Sequence, residues 1–197
     1  LRGGHVQRYE LIDDPKQGTP IFINKEKWLA DSREGTSAFA HLKPRVVYQE
    51  SAALDNWRRI IAAYLPAGHI CGHKICYFIN FKYNELAFLA IFNSSVVEWR
   101  YELVSTTNNL SGYQITAIPI PRFTITTPAP ERARLAAELQ QLYSEGKHNE
   151  ILAQVQSLLP KDDAGNFISE QEKSDVVHDL LAFLAERMLE MNKQKQQ

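Results

Sequence analysis

Sulfur is scarce in this chain of 197 residues: two methionines and two cysteines, Cys71 and Cys76. Two cysteines five positions apart cannot frame a disulfide scaffold, so a reducing cytoplasm is the expected setting. No apolar run reaches the roughly 18 residues that a membrane-spanning helix needs. The opening Leu1-Arg2-Gly3-Gly4-His5 has no secretory pattern and reads as the continuation of a longer polypeptide. Gly-x-Ser-x-Gly is absent, and neither cysteine lies in a motif that would activate it, which removes the usual nucleophile settings. Neither a P-loop nor Gly-x-Gly-x-x-Gly occurs, so no nucleotide cradle is expected. Every Asn is followed by a residue other than Pro, which excludes the Asn-Pro-Pro-Tyr type of signature of adenine methyltransferases. No catalytic constellation survives, and the segment by itself is not expected to be an enzyme or to hold a cofactor.

Neither sign of charge dominates, with a formal net charge of -1. The distribution is uneven. Residues 1–126 carry a net charge of +3 and 17 of the 20 aromatic residues, while residues 127–197 carry -4. A mildly basic, aromatic-rich part followed by an acidic part points to two different tasks. The expected division is therefore residues 1–126 and residues 127–197.

The first part reads as short strands and turns. Tyr9–Ile12 stops at Asp13-Asp14-Pro15, a turn signal. Arg45-Val46-Val47-Tyr48-Gln49-Glu50 is a β-branched run after Pro44, and Arg58–Leu65 is another, ended by Pro66-Ala67-Gly68. His69–Phe81 is again strand-like. Between Glu85 and Leu103 the apolar spacing becomes helical and predicts one mostly buried helix. Gly112 opens a segment over Tyr113–Ile118 that closes on Pro119-Ile120-Pro121. After Thr127 everything reads as helix. Pro130 suits a first turn and Gly146 a helix end. His148–Leu159 gives a second helix. Ser169-x-x-Glu172 is a capping box for a last helix with Val176, Leu180, Leu184, Met188 and Met191 on one face, fraying from Asn192 onward. The expected fold is α+β, a mixed strand–helix domain followed by a helical hairpin or small bundle.

Two groups of residues invite a metal. His69, Cys71, His73 and Cys76 interleave the ligands that zinc sites pair, and on a strand Cys76 points away from the other three. The plainer reading is a half-buried strand with small cysteines. Asp14-Pro15-Lys16 matches part of a nuclease motif, but Pro15 cannot sit inside a central strand, and a solvated turn is the better reading. No metal site is assigned. The cationic side chains at strand ends are more informative: Arg45, Arg58 and Arg59 lie at the starts of predicted strands, and Lys74 and Lys82 bracket a third. Lysine can neutralise phosphate, and arginine can also read guanine with its forked donors.

Four segments together resemble the TaqI-like C-terminal specificity domain of type II and IIG restriction–modification adenine methyltransferases. They are Arg2-Gly3-Gly4-His5-Val6-x-x-Tyr9, Lys43-Pro44-Arg45-Val46-Val47-Tyr48-Gln49-Glu50, Leu86-Ala87-Phe88-Leu89-Ala90-Ile91-Phe92-Asn93-Ser94-Ser95-Val96-Val97-Glu98-Trp99 and Ile118-Pro119-Ile120-Pro121. Order and spacing fit over about residues 1–123, and the helical tail is similar to the extension of large single-chain restriction–modification enzymes. The resemblance implies sequence-specific grip on double-stranded DNA. A separate N-terminal methyltransferase domain of the parent, using S-adenosylmethionine, would flip and methylate an adenine, and the parent could also cleave DNA. It implies structural roles for Asn93-Ser94 and for Pro119 and Pro121. It carries over no base-reading residue, so Arg45, Arg58, Arg59, Lys74 and Lys82 stand as candidate DNA contacts on charge and loop position. The alternative is an assembly module whose acidic helices pair with another subunit or domain.

Overall fold

The computed structural model describes residues 1–12, 24–30, 32, 36–72 and 74–196. Five strands come first: β1 (Val6–Gln7), β2 (Glu10–Leu11), β3 (Arg45–Gln49), β4 (Ala62–Leu65) and β5 (Ile75–Phe78). A short helix, α1 (Lys25–Ala30), lies among them. The helices α2 (Glu85–Phe92), α3 (Ser95–Glu102), α4 (Gly112–Thr116), α5 (Ala129–Ser144), α6 (His148–Leu158) and α7 (Ser174–Gln196) follow. The fold is α+β with helices at its C-terminal end.

Three strands form an antiparallel sheet of order β4-β3-β5, with Val46 opposite Tyr64 on one side and Phe78 on the other. Side chains alternate between its faces. Val46, Tyr48, Ala62, Cys76 and Phe78 join the larger core, while Val47, Ala63, Leu65, Ile75 and Tyr77 pack with the β1–β2 hairpin. Both faces are covered, which is why the run at 45–48 lacks polar alternation. Helix α2 is apolar on every side because it lies between the sheet and α7.

The single helix expected over Glu85–Leu103 is two. The chain breaks at Asn93, and Ser94 turns extended to cap α3, its hydroxyl accepting the Val97 N–H at 3.3 Å. Serine favours a cap over a helix interior, and an Asn side chain competes for backbone groups in the same way. The strand expected from Arg58 is shorter, beginning at Ala62. Residues 113–116 are helical rather than strand-like, within α4.

The tail forms its own core from Leu139, Ile151, Leu158, Val176 and Leu180. Gly146 ends α5 with φ +72. Its N–H donates to the Tyr143 carbonyl at 3.0 Å and that of Lys147 to Leu142 at 2.9 Å, the double-bonded helix end that favours glycine. Helix α7 starts at Ser174, not after Ser169, because Gln171 and Glu172 turn their N–H groups back onto the Ile168 carbonyl. It also runs through Asn192 to Gln196 instead of fraying there, with the Asn192 amide 3.4 Å from the carbonyls of Arg8 and Tyr9.

The connection between the two parts is pinned. The buried Asp175 carboxylate accepts the N–H groups of Thr126 and Thr127 and the Thr127 hydroxyl, and Ser174 Oγ accepts the Thr124 N–H. The change from strands to helices comes earlier than residue 126, since β5 ends at Phe78 and α2, α3 and α4 precede the tail. Helix α7 belongs to both cores, since Leu181, Ala185, Met188 and Leu189 pack into the sheet–α2 core. Among the described residues no helix is long and apolar enough to cross a membrane.

Candidate nucleic-acid interface

The antiparallel register decides which cations are neighbours. Ile75 lies opposite Gln49, so Lys74 shares the end of the sheet where the 50–61 connection, with Arg58, leaves β3. Arg45 pairs with Leu65 at the opposite end, the end toward which β5 runs on to Lys82. The five candidates are therefore not one cluster.

Two of them are corrected by burial. Arg45 is 2 % exposed and Arg59 3 %. Arg45 shares a sheet face with Val47, and its guanidinium lies 5.3 Å from the Tyr77 ring centre and donates to the His69 carbonyl. Arg59 spans the 103–109 segment, donating to Ser105 Oγ and the Thr107 carbonyl over the Tyr101 ring. Both guanidiniums are committed to holding loops and cannot reach a groove in this conformation.

Three candidates remain at the surface. Arg58 donates to Ser95 Oγ at 2.9 Å and lies 5.3 Å from the ring centre of Trp57, which is 85 % exposed. Lys74 adopts a left-handed backbone, φ +68, with its ammonium 3.4 Å from the Glu50 carboxylate. Lys82 lies over the Tyr83 ring at 5.3 Å, at the other end. Arg58 and Lys74 thus stand at the same end of the sheet, on the β4 and β5 sides of β3, and Lys82 stands at the other end.

The connection carrying Trp57 and Arg58 lacks regular structure but is anchored. Ala52 N–H donates to the Asn108 carbonyl, Leu54 N–H to Asn108 Oδ1, and Ser51 Oγ to Asn109 Oδ1. The buried Glu98 carboxylate accepts the N–H groups of Arg59 at 2.5 Å and Ile60 at 2.9 Å. Charge-assisted bonds to two backbone groups fix the loop more firmly than neutral ones would. Sequence reasoning missed this anchor because a helical Glu reads as solvated. The available signal was its place beside Val97 and Tyr101 on the inward face of α3.

Cys71 and Cys76 belong to the cores on opposite faces of the sheet and cannot share an ion. Burial pushes both thiols up. Among the described residues no three His, Cys, Asp or Glu side chains converge on a metal position. His73, Asp13-Asp14-Pro15 and Asp14-Pro15-Lys16 lie outside the described residues. A cavity of about 540 Å³ opens between the hairpin, β4, α2 and the end of α7. Glu10, Glu85, Glu186 and Glu190 line it against one lysine, Lys193, a balance of charge that disfavours phosphate. No protein-family model matches the chain, and neither a curated protein nor a solved structure does.

Proposed function

We propose that this chain is the DNA-recognition segment of a restriction–modification adenine methyltransferase. The observation that carries the reading is that two surface cations, Arg58 and Lys74, stand at one end of the sheet, Arg58 on an anchored connection. Cationic side chains on a preorganised loop are what duplex phosphates and base edges require. A second support is the way the resembling segments come together: Tyr9, Val46, Tyr48, Leu89, Phe92, Val97 and Ile118 share one core. On this reading they build the scaffold, and the connections between them meet the DNA. S-adenosylmethionine and the methyl transfer belong to the parent's catalytic domain. The alternative, in which the acidic helices pair with another subunit or domain, draws less on the α7 stripe, since Val176 and Leu180 are buried within the chain while Met191 is 50 % exposed.

Fluorescence anisotropy with duplex DNA across a salt series tests the reading. Lys74→Ala is expected to flatten the dependence of log affinity on log salt by about one unit, as loss of one phosphate contact does. Arg58→Ala is expected to cost about 1–3 kcal/mol and to relax preference at one base position in a site library. Binding that ignores salt, or that survives both substitutions unchanged, rejects this surface. Micromolar binding of S-adenosylmethionine to the chain would reject the assignment of the cofactor to another domain.

A further inference from the structure

We propose that the outer face of α3, together with the flanking 51–61 and 103–113 segments, is a surface that pairs with a second copy of this chain. Helix α3 buries Val97, Glu98 and Tyr101 and turns Val96, Trp99 and Leu103 outward at helical spacing, with Val96 71 % exposed and Trp99 59 %. Leu54, Trp57 and Tyr113 are exposed nearby in sequence segments bound to this helix and its continuation. Leu54 N–H bonds Asn108, Arg58 bonds Ser95, and Gln114 Nε2 bonds the Val104 carbonyl. Six such side chains leave on the order of 800 Å² uncovered, about what one partner contributes to a standard interface. Apolar patches of this extent on a folded chain mark interaction sites.

Charge selects the occupant. The exposed or half-exposed charges of these segments are Asp55, Arg58, Arg100 and Glu102, two of each sign, and residues 83–146 contain no lysine. A neutral set does not repel a second copy of itself, and tryptophan, tyrosine and arginine without lysine is the composition of a protein–protein contact. A two-fold contact must also be complementary to itself. A patch of one sign would repel its copy, whereas here the arginines of one copy can meet Asp55 and Glu102 of the other. The apolar stripe of α3 forms the centre, and Arg58 stands at the rim.

Sedimentation velocity of the full chain tests this from about 1 to 100 µM, the range in which a weak interface of this size dissociates. The expected result is a shift from monomer to dimer mass, with tryptophan emission moving to the blue as the dimer forms. Val96→Glu and Leu103→Glu are each expected to raise the dissociation constant roughly tenfold or more. Both positions are exposed, so far-ultraviolet circular dichroism and the melting midpoint should be unchanged and will distinguish lost pairing from lost fold. Monomer mass throughout, including a monomer that binds some other protein on this face, overturns the proposal. So does a dimer that both folded variants leave intact.

Discussion

Ala62 lies on an edge of the sheet, where its backbone amide has no strand to pair with, and the Asn93 side chain supplies the partners. Its Oδ1 accepts the Ala62 N–H at 3.2 Å and its Nδ2 donates to the Ala62 carbonyl at 2.9 Å. That carbonyl also receives the Tyr9 N–H at 2.9 Å, so only the amide depends on Asn93 alone. Asn93→Ala is therefore expected to lower stability by about 1–3 kcal/mol, the cost of one buried unsatisfied donor. Urea unfolding should show a lower midpoint at unchanged slope; an unchanged midpoint would mean that water replaces the amide. Residues of this kind were half legible. The resemblance gave Asn93-Ser94 a structural role, but the strand it clamps is 31 positions away in sequence. Gly3 was legible only as part of a motif. A Cβ there would stand 2.9 Å from the Lys74 carbonyl oxygen, a contact between segments that no local pattern announces.

Among the elements, one polar chain links α5, α7 and α2 beside their apolar packing. Arg132 donates two bonds to the Asp179 carboxylate, His178 Nδ1 lies 3.0 Å from the same carboxylate, and His178 Nε2 accepts the Asn84 N–H that opens α2. With Nε2 turned to a backbone N–H, Nδ1 is the nitrogen that faces the carboxylate. Burial raises the Asp179 pKa, but the bonds from Arg132 and His178 outweigh it and hold the carboxyl below its ordinary value. A depressed folded-state pKa contributes stability that is present above the unfolded value, about 4, and is lost as pH falls through the folded one. Melting curves of the wild type and Asp179→Asn should accordingly differ most near neutrality and converge below about pH 4. A difference that stays constant down to strong acid would show that the carboxylate charge is not what joins these helices. The helices of the tail were legible from their spacing, and so was the stop at Gly146, because caps and apolar stripes are local. The start of α7 was not, since its first residues are held by Thr124, Thr126 and Thr127 and not by Ser169.

Over the whole molecule, α7 decides that the strand-rich and helical parts stand or fall together. Its first half closes the tail core and its second half covers α2. Residues 1–126 expressed alone would leave Leu86, Ala90 and their neighbours without Leu181, Ala185 and Met188. Such a fragment is expected to aggregate or to unfold without a cooperative transition, as scanning calorimetry would record. A fragment melting at the midpoint of the full chain would make the tail an appendage. The sequence by itself determined the α+β class, the helices after Thr127 and the apolar stripes, because periodicity and turn chemistry act between residues a few positions apart. It also marked cations at the strand ends. Only the tertiary structure decided which of them are free. Burial of Arg45 and Arg59 depends on Tyr77, His69, Ser105 and Thr107, and the placing of Arg58 and Lys74 at one end of the sheet depends on strand register. Those are contacts between distant segments, and a linear pattern of charge does not encode them.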